Sequence, residues 1–200
     1  MWNNRQNRPP IFFVLSAPSG TGKSSMIDGA MAHFSDGSLL RSISTTTRAM
    51  RNGESEDKDY YFCRKDEFEA KIKSGTFLEY AQVYKHYYGT SQEIIQKAQG
   101  SQSDIIKDLD VQGAKSIRNR YERAVLIFVF PPNMEILEER IRSRKLDDET
   151  SIEGRLQAAK KELDEAGEFD YWIVNRNLDE AVDQLKCVII AERLKNNGHL

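Results

Sequence analysis

The feature that most narrows what this chain can fold into lies near its start. An apolar run from Ile11 to Ser16 leads into the turn Ala17-Pro18-Ser19-Gly20-Thr21-Gly22-Lys23-Ser24, after which Met26, Ile27, Ala30 and Phe34 recur at helical spacing. Strand, glycine-rich turn and helix in that order call for a parallel sheet, because the helix must carry the chain back across the sheet before the next strand can begin. The turn matches GxxxxGK[ST], the phosphate-binding loop, with alanine in its first position. Its small residues let successive amides, through Ser24 and Ser25, face a phosphate at the positive end of the helix. Lys23 reaches the terminal oxygens, and the Ser24 hydroxyl can ligate Mg²⁺. Alanine at position 17 suits this loop only if its backbone φ is negative. The loop by itself points to a bound nucleoside triphosphate, which a GTPase, a motor and a kinase all share.

Further elements follow along the chain. Ser42 to Arg48 and Tyr60 to Cys63 read as short strands around the polar turn Asn52-Gly53-Glu54. A short helix carrying Phe68 and Ile72 can be capped by Asp66 and ended by Gly75. Phe77 to Gln82 reads as a strand, and Thr90 with Glu93 as a capping box for a helix running to Gln99. Asp104 to Asp108 and Ala124 to Phe130 read as buried strands, the second stopped by Pro131-Pro132. Lys107 fits a buried strand poorly. Helices are expected from Gln112 to Arg120, from near Asn133, from a second capping box at Thr150 and Glu153, and around Ala181, Leu185, Val188 and Glu192. A strand is expected from Tyr171 to Val174. The alternation of strands and helices predicts helices on both faces of the sheet.

At 200 residues the chain can bury roughly 70% of its unfolded surface, enough for a core without disulfides or a structural metal. Lysine and arginine number 29 against 31 acidic residues, and the net charge of -2 argues against general affinity for nucleic acid or anionic membrane, so an anion site must be local. Cys63 and Cys187 fit no ligand or redox pattern, and His33, His86 and His199 read as structural or exposed. The apolar run Ala124 to Phe130 is far short of the roughly 20 residues that span a bilayer, and the polar start lacks an export signal, so the expected location is the cytoplasm.

Four clusters in fixed order, APSGTGKSS at 17 to 25, SISTTTRAMRNGE at 42 to 54 with KDYYF at 58 to 62, FLEYAQVYKHYYGT at 77 to 90 and KDLDVQGA at 107 to 114, resemble the guanylate kinase family. The likeness runs from about Arg8 to Leu194. It implies an α/β fold: a three-layer α/β/α core of the P-loop NTPase type with a parallel sheet (10–41, 101–137 and 157–194). A mixed α/β GMP-binding lobe at 42–100 and a helical lid at 138–156 are inserted into it, with an N-terminal arm at 1–9 and a tail at 195–200. It also implies transfer of the γ-phosphoryl group of ATP to GMP, and to dGMP, with Mg²⁺.

By matching position, the resemblance assigns Arg48, Arg51, Tyr60 and Tyr88 to the acceptor phosphate. Arginine forks suit its oxygens, and tyrosine hydroxyls can donate to an oxyanion without adding charge. It makes Glu79 the guanine reader, since a carboxylate accepts from N1–H and the 2-amino group where adenine has a bare N1. Ser44, Thr90 and Asp110 complete that pocket. Without the resemblance, alternation along the strand would turn Glu79 to water. Arg140, Arg144 and Arg155 match the lid arginines that offset charge during transfer, although a helix with Glu138, Glu139 and Arg142 also reads as an exposed, ion-paired surface. Asp108 is an outer-shell candidate for Mg²⁺, and Asn175 matches a position near adenine. The chain departs from the family with Lys145 in place of a glycine and Arg176 in place of an aspartate. A non-catalytic protein-binding module and a kinase for another nucleotide are the competing readings; the oligomeric state is left open.

Overall fold

The computed structural model of the chain describes residues 8–83, 85–143 and 149–195. Its first sheet is five-stranded and parallel throughout. The strands are β1 (Phe12–Ser16), β2 (Leu39–Arg41), β7 (Asp104–Asp108), β8 (Ala124–Phe130) and β9 (Tyr171–Val174), in spatial order β2-β7-β1-β8-β9. Every residue of β1 is buried, and its alternating side chains feed two cores. Phe13 and Leu15 pack with Met26 and Ile27 of α1 (Lys23–His33) and Leu185 and Ile189 of α7 (Leu178–Leu194). Phe12 and Val14 pack on the other face with Ala98 of α3 (Glu93–Gly100) and Ala114 and Ile117 of α4 (Val111–Arg120). Each such large apolar side chain contributes about 1.5–3 kcal/mol on burial. This is the three-layer α/β/α arrangement that the strand–turn–helix motif demands.

A second, four-stranded sheet branches from the first. Its strands are β3 (Ser44–Thr46), β4 (Tyr60–Phe62), β5 (Phe77–Val83) and β6 (His86–Ser91), in the order β4-β3-β6-β5. The transition between sheets is abrupt. The Ser42 amide still donates to the Ile106 carbonyl at 2.9 Å, extending the pairing of β2 with β7, and two residues later Ser44 belongs to β3. Phe68 of α2 (Lys65–Lys73) covers this sheet, its ring stacked on Phe77 and Tyr87 at centroid distances of 4.4 and 5.3 Å.

Several local expectations are corrected. Thr90 does not cap α3: it is a fully buried residue of β6, its hydroxyl is committed to Glu79, and α3 starts after Gln92. Asp66 lies in the first turn of α2, not at its cap. There Glu67 accepts from the Arg64 amide at 3.0 Å, and Asp66 accepts from the Arg64 guanidinium. Strands β2 and β6 were not expected. The run expected from Ser42 to Arg48 narrows to the three residues of β3, because Ser42 pairs with the other sheet. The other caps use side-chain oxygens: Asp110 accepts from the Gly113 amide at 2.7 Å, Asn133 from Ile136 ahead of α5 (Met134–Arg142), and Asn177 from Asp179 and Glu180. The helix expected from the second capping box is α6 (Glu149–Asp164); the side chain of Thr150 lies outside the described residues.

One buried ionic cluster ties the ends of the core together. Asp104 accepts from the Ile11 amide at 2.8 Å and from Arg193 Nε at 2.8 Å, and pairs with Arg8 at 3.0 Å. Arg193 also donates to the Ser38 carbonyl at 2.7 Å. Removing one member strands the others in low dielectric. Asp104→Ala is therefore expected to lower unfolding free energy by about 3 kcal/mol. Urea denaturation should show this as a lower midpoint at unchanged slope.

Candidate functional site

The phosphate-binding loop joins β1 to α1 at the carboxyl edge of the parallel sheet, where ligands of open α/β sheets bind. Gly20 and Gly22 adopt φ of 93° and 97°, left-handed values that side chains disfavour. Among the described residues only Asp57 and Gln102 combine a side chain with positive φ, so Ala17 is unstrained and the substitution in the motif costs nothing there. A Cβ at Gly22 would also stand 2.7 Å from the Asn175 amide nitrogen, which donates to the Thr21 carbonyl at 2.7 Å. Asn175 thus braces the loop from its buried side. Lys23 donates to the Ala17 carbonyl across the loop, and Ser24 and Ser25 are exposed on the first turn of α1. Pro18 is buried, and its carbonyl accepts from Thr21 Oγ1 at 2.7 Å.

A cavity of about 340 Å³ opens beside this loop. Its lining combines Ala17, Ser19 and Lys23 of the loop, Ser44, Tyr60, Glu79 and Tyr88 of the second sheet, and the carboxylates Asp108, Asp110 and Glu162. Donor-loop and acceptor-lobe residues therefore converge on one space. Glu79 does not face water. The pairing of β5 with β6 is irregular between Phe77 and Glu79, so Phe77, Leu78 and Glu79 are all buried where regular alternation would expose one in two. Glu79 is 6% exposed. Burial pushes its carboxyl above the usual range, while the Thr90 hydroxyl and Lys107 pull the other way.

Arg48 and Arg51 are not among the residues lining this cavity; Arg48 reaches it only through Tyr60, which does line it. Arg48 pairs with Glu54 at 2.7 Å, which holds the guanidinium firmly protonated, and lies over the Tyr60 ring at 5.2 Å. Tyr60 in turn meets Tyr88 edge-on at 5.9 Å. Arg51 is exposed, and its amide donates to the other oxygen of Glu54 at 2.8 Å, so one carboxylate gathers both arginines around the turn. Asp110 spends one oxygen capping α4.

Of the lid arginines, Arg155 donates to the Ser19 hydroxyl, and the Cβ of Arg140 lies 3.8 Å from where a side chain on Gly20 would begin. Ion pairing on α5 runs through Arg142, to Glu138 at 2.8 Å and Glu149 at 2.6 Å. Arg144 and Lys145 lie outside the described residues.

Two residues of the site were not anticipated. Glu162 follows Arg155 by two helical turns on α6 and so shares its face. Its Oε2 is buried and accepts no hydrogen bond from a described residue, and burial raises its carboxyl against the opposing pull of Lys23. The spacing from Arg155 was the available signal. Lys107 is 2% exposed on β7 and donates to Ser44 Oγ at 2.7 Å and to the Ser42 carbonyl at 3.4 Å. Burial lowers its pKa to about 8, with Glu79 and Asp108 pulling the other way.

Residues 9–192 match the family model for guanylate kinase. A guanylate kinase of Rickettsia felis is 44% identical over 185 residues, covering 92% of this chain and 95% of that one. One from Buchnera aphidicola is 45% identical over 184 residues, covering 92% and 89%. The crystal structure of guanylate kinase from Anaplasma phagocytophilum superposes with a TM-score of 0.73 at 31% identity, covering 94% of this chain and 88% of that one. A phosphate-binding loop facing a buried carboxylate across one cavity, and likeness over nearly the whole length, lead to one assignment: the chain belongs to the guanylate kinase family.

Proposed function

We propose that the chain transfers the γ-phosphoryl group of ATP to the phosphate of GMP or dGMP, giving ADP and GDP or dGDP. The observation that carries this reading is that Lys23 and Glu79, one suited to a triphosphate and the other to guanine, line the same cavity. An acceptor phosphate oxygen attacks the γ-phosphorus, the bond to the β–γ bridging oxygen breaks, and ADP leaves, so no side chain need form a covalent intermediate. The loop 17–25, through its backbone N–H groups other than at Pro18, and Lys23 hold the donor phosphates. Arg48, Arg51, Tyr60 and Tyr88 hold the acceptor phosphate, and Ser44, Glu79, Thr90 and Asp110 hold its base. Arg140, Arg144 and Arg155 offset the charge that develops on the transferred group. Asn175 serves the donor site by fixing the loop. The lobe at 42–100 and lid at 138–156 close over the substrates, which keeps water from the γ-phosphate.

The residues fit Mg²⁺. Ser24 offers an exposed hydroxyl on the first turn of α1, and Asp108 a half-exposed carboxylate on the neighbouring strand, in register with Leu15. Among the described residues no cluster of three or more His, Cys, Asp or Glu could cage a metal, and Mg²⁺ in kinase sites needs none, being held by few protein oxygens with phosphates and water. When bound, the ion neutralises charge between the phosphates.

A non-catalytic binding module is disfavoured, because such a module has no use for Lys23 and Glu79 on one cavity with Arg155 bonded to the loop residue Ser19 beside them. Among the described residues no helix is long and apolar enough to cross a membrane; a cytoplasmic site of action is part of the proposal, since both nucleotides are found there. ADP release measured with GMP, dGMP, AMP and UMP as separate acceptors tests the reading. GMP and dGMP should lead by orders of magnitude, and a preference for AMP or UMP would overturn it.

A further inference from the structure

Lys107 occupies a strand position that an apolar residue would fill at less cost. Its neighbours Ile105 and Ile106 are fully buried, and a buried ammonium costs several kcal/mol of desolvation unless its partners are well placed. The side chain extends from the core sheet into the junction with the lobe, where its closest partner is Ser44 Oγ at 2.7 Å. The charged groups around it are Glu79 of β5, Asp108 of its own strand and Arg41 of β2. Glu79 in turn faces Asp110 and Arg120.

We infer that Lys107 is a positioning residue that helps select the acceptor base, by fixing Ser44 as a hydrogen-bond donor toward the cavity and by supplying the countercharge for Glu79. An ammonium only donates. Once Ser44 Oγ accepts from it, the hydroxyl proton of Ser44 must point elsewhere, and Ser44 lines the acceptor cavity. Guanine carries the O6 acceptor where adenine carries a 6-amino donor. One fixed donor beside a carboxylate that accepts from N1–H and the 2-amino group then complements the guanine edge at three points. Adenine would meet Ser44 donor to donor, leaving both groups unpaired. Glu79, buried beside Asp110, also needs a nearby positive charge to remain a two-point acceptor. The inference rests on the base-site reading of Ser44 and Glu79.

Lys107→Met keeps the length of the side chain and removes its charge and donors. The expected result is a KM for GMP raised about tenfold, kcat held, and the preference for GMP over AMP reduced by a similar factor. The melting temperature should not fall, since an apolar side chain replaces a buried charge. Ser44→Ala provides the second measurement. Because both substitutions break the same hydrogen bond, the double variant should be no worse than about the more impaired single variant. Unchanged KM and selectivity in Lys107→Met would overturn the inference. So would a fall in melting temperature and kcat together at constant KM, the pattern of a tether between the sheets. If Lys107→Met does not fold, Ser44→Ala decides: an unchanged KM and base preference there would also overturn it. Glu79→Gln separates the two layers. If it collapses GMP selectivity while Lys107→Met does not, only the role of Lys107 fails; if it too leaves selectivity intact, the base-site reading fails.

Discussion

Lys23→Met should reduce kcat with ATP and GMP by about 10³-fold or more while leaving the fold intact. Phosphoryl transfer depends on positioning and charge compensation, and Lys23 is the cation carried by the phosphate-binding loop itself. Its ammonium crosses the loop to the Ala17 carbonyl and borders the cavity that Glu79 also lines, so it can move onto a γ-phosphate without a change in the backbone. Methionine preserves the stem and its packing, so the loss should lie in kcat more than in GMP affinity. Steady-state rates with unaltered circular dichroism and melting temperature check this, and retained turnover would remove the loop lysine from the reaction.

Glu79→Gln is expected to lower kcat/KM for GMP by about 10³- to 10⁴-fold and to change the low activity with AMP little. Glutamine offers one acceptor and one donor where guanine presents two donors, so one buried pair becomes donor against donor. A pH dependence accompanies this. Burial raises the Glu79 carboxyl above its ordinary range, so it takes up a proton at a higher pH than an exposed glutamate does. The protonated form has lost one acceptor. The KM for GMP should therefore rise as pH falls through that raised value and be low above it. Protonation of the GMP phosphate is common to both enzymes, so the limb present in the native protein and missing in Glu79→Gln belongs to Glu79.

The parts of this architecture written in contiguous residues could be read in advance. The donor loop is one such stretch, and its strand and helix carry unmistakable patterns of period two and 3.6. Glu79 is different. Alternation along its strand argues for exposure, and only an irregular register between β5 and β6 buries it, so its role came from resemblance alone. Thr90 with Glu93 satisfies the local rule for a helix start, yet a long-range partner, Glu79, claims the hydroxyl and draws Thr90 into a strand. Strand β2 is three residues long with no period to detect, and it exists because β7 offers it an edge. Lys107 looks misplaced until the lobe folds back over it and brings Ser44 to its ammonium, a contact between residues 63 apart.

The same dependence on distance governs the glycine-rich turn. Asn175 hydrogen-bonds to Thr21 across 154 positions of sequence, and the room for its amide is the space that Gly22 leaves by having no side chain. A short peptide bearing the motif would hold its letters without its shape. On a ribosome the signature emerges well before the residue that closes it, so competence to grip a triphosphate must wait for an asparagine made 154 positions after Thr21.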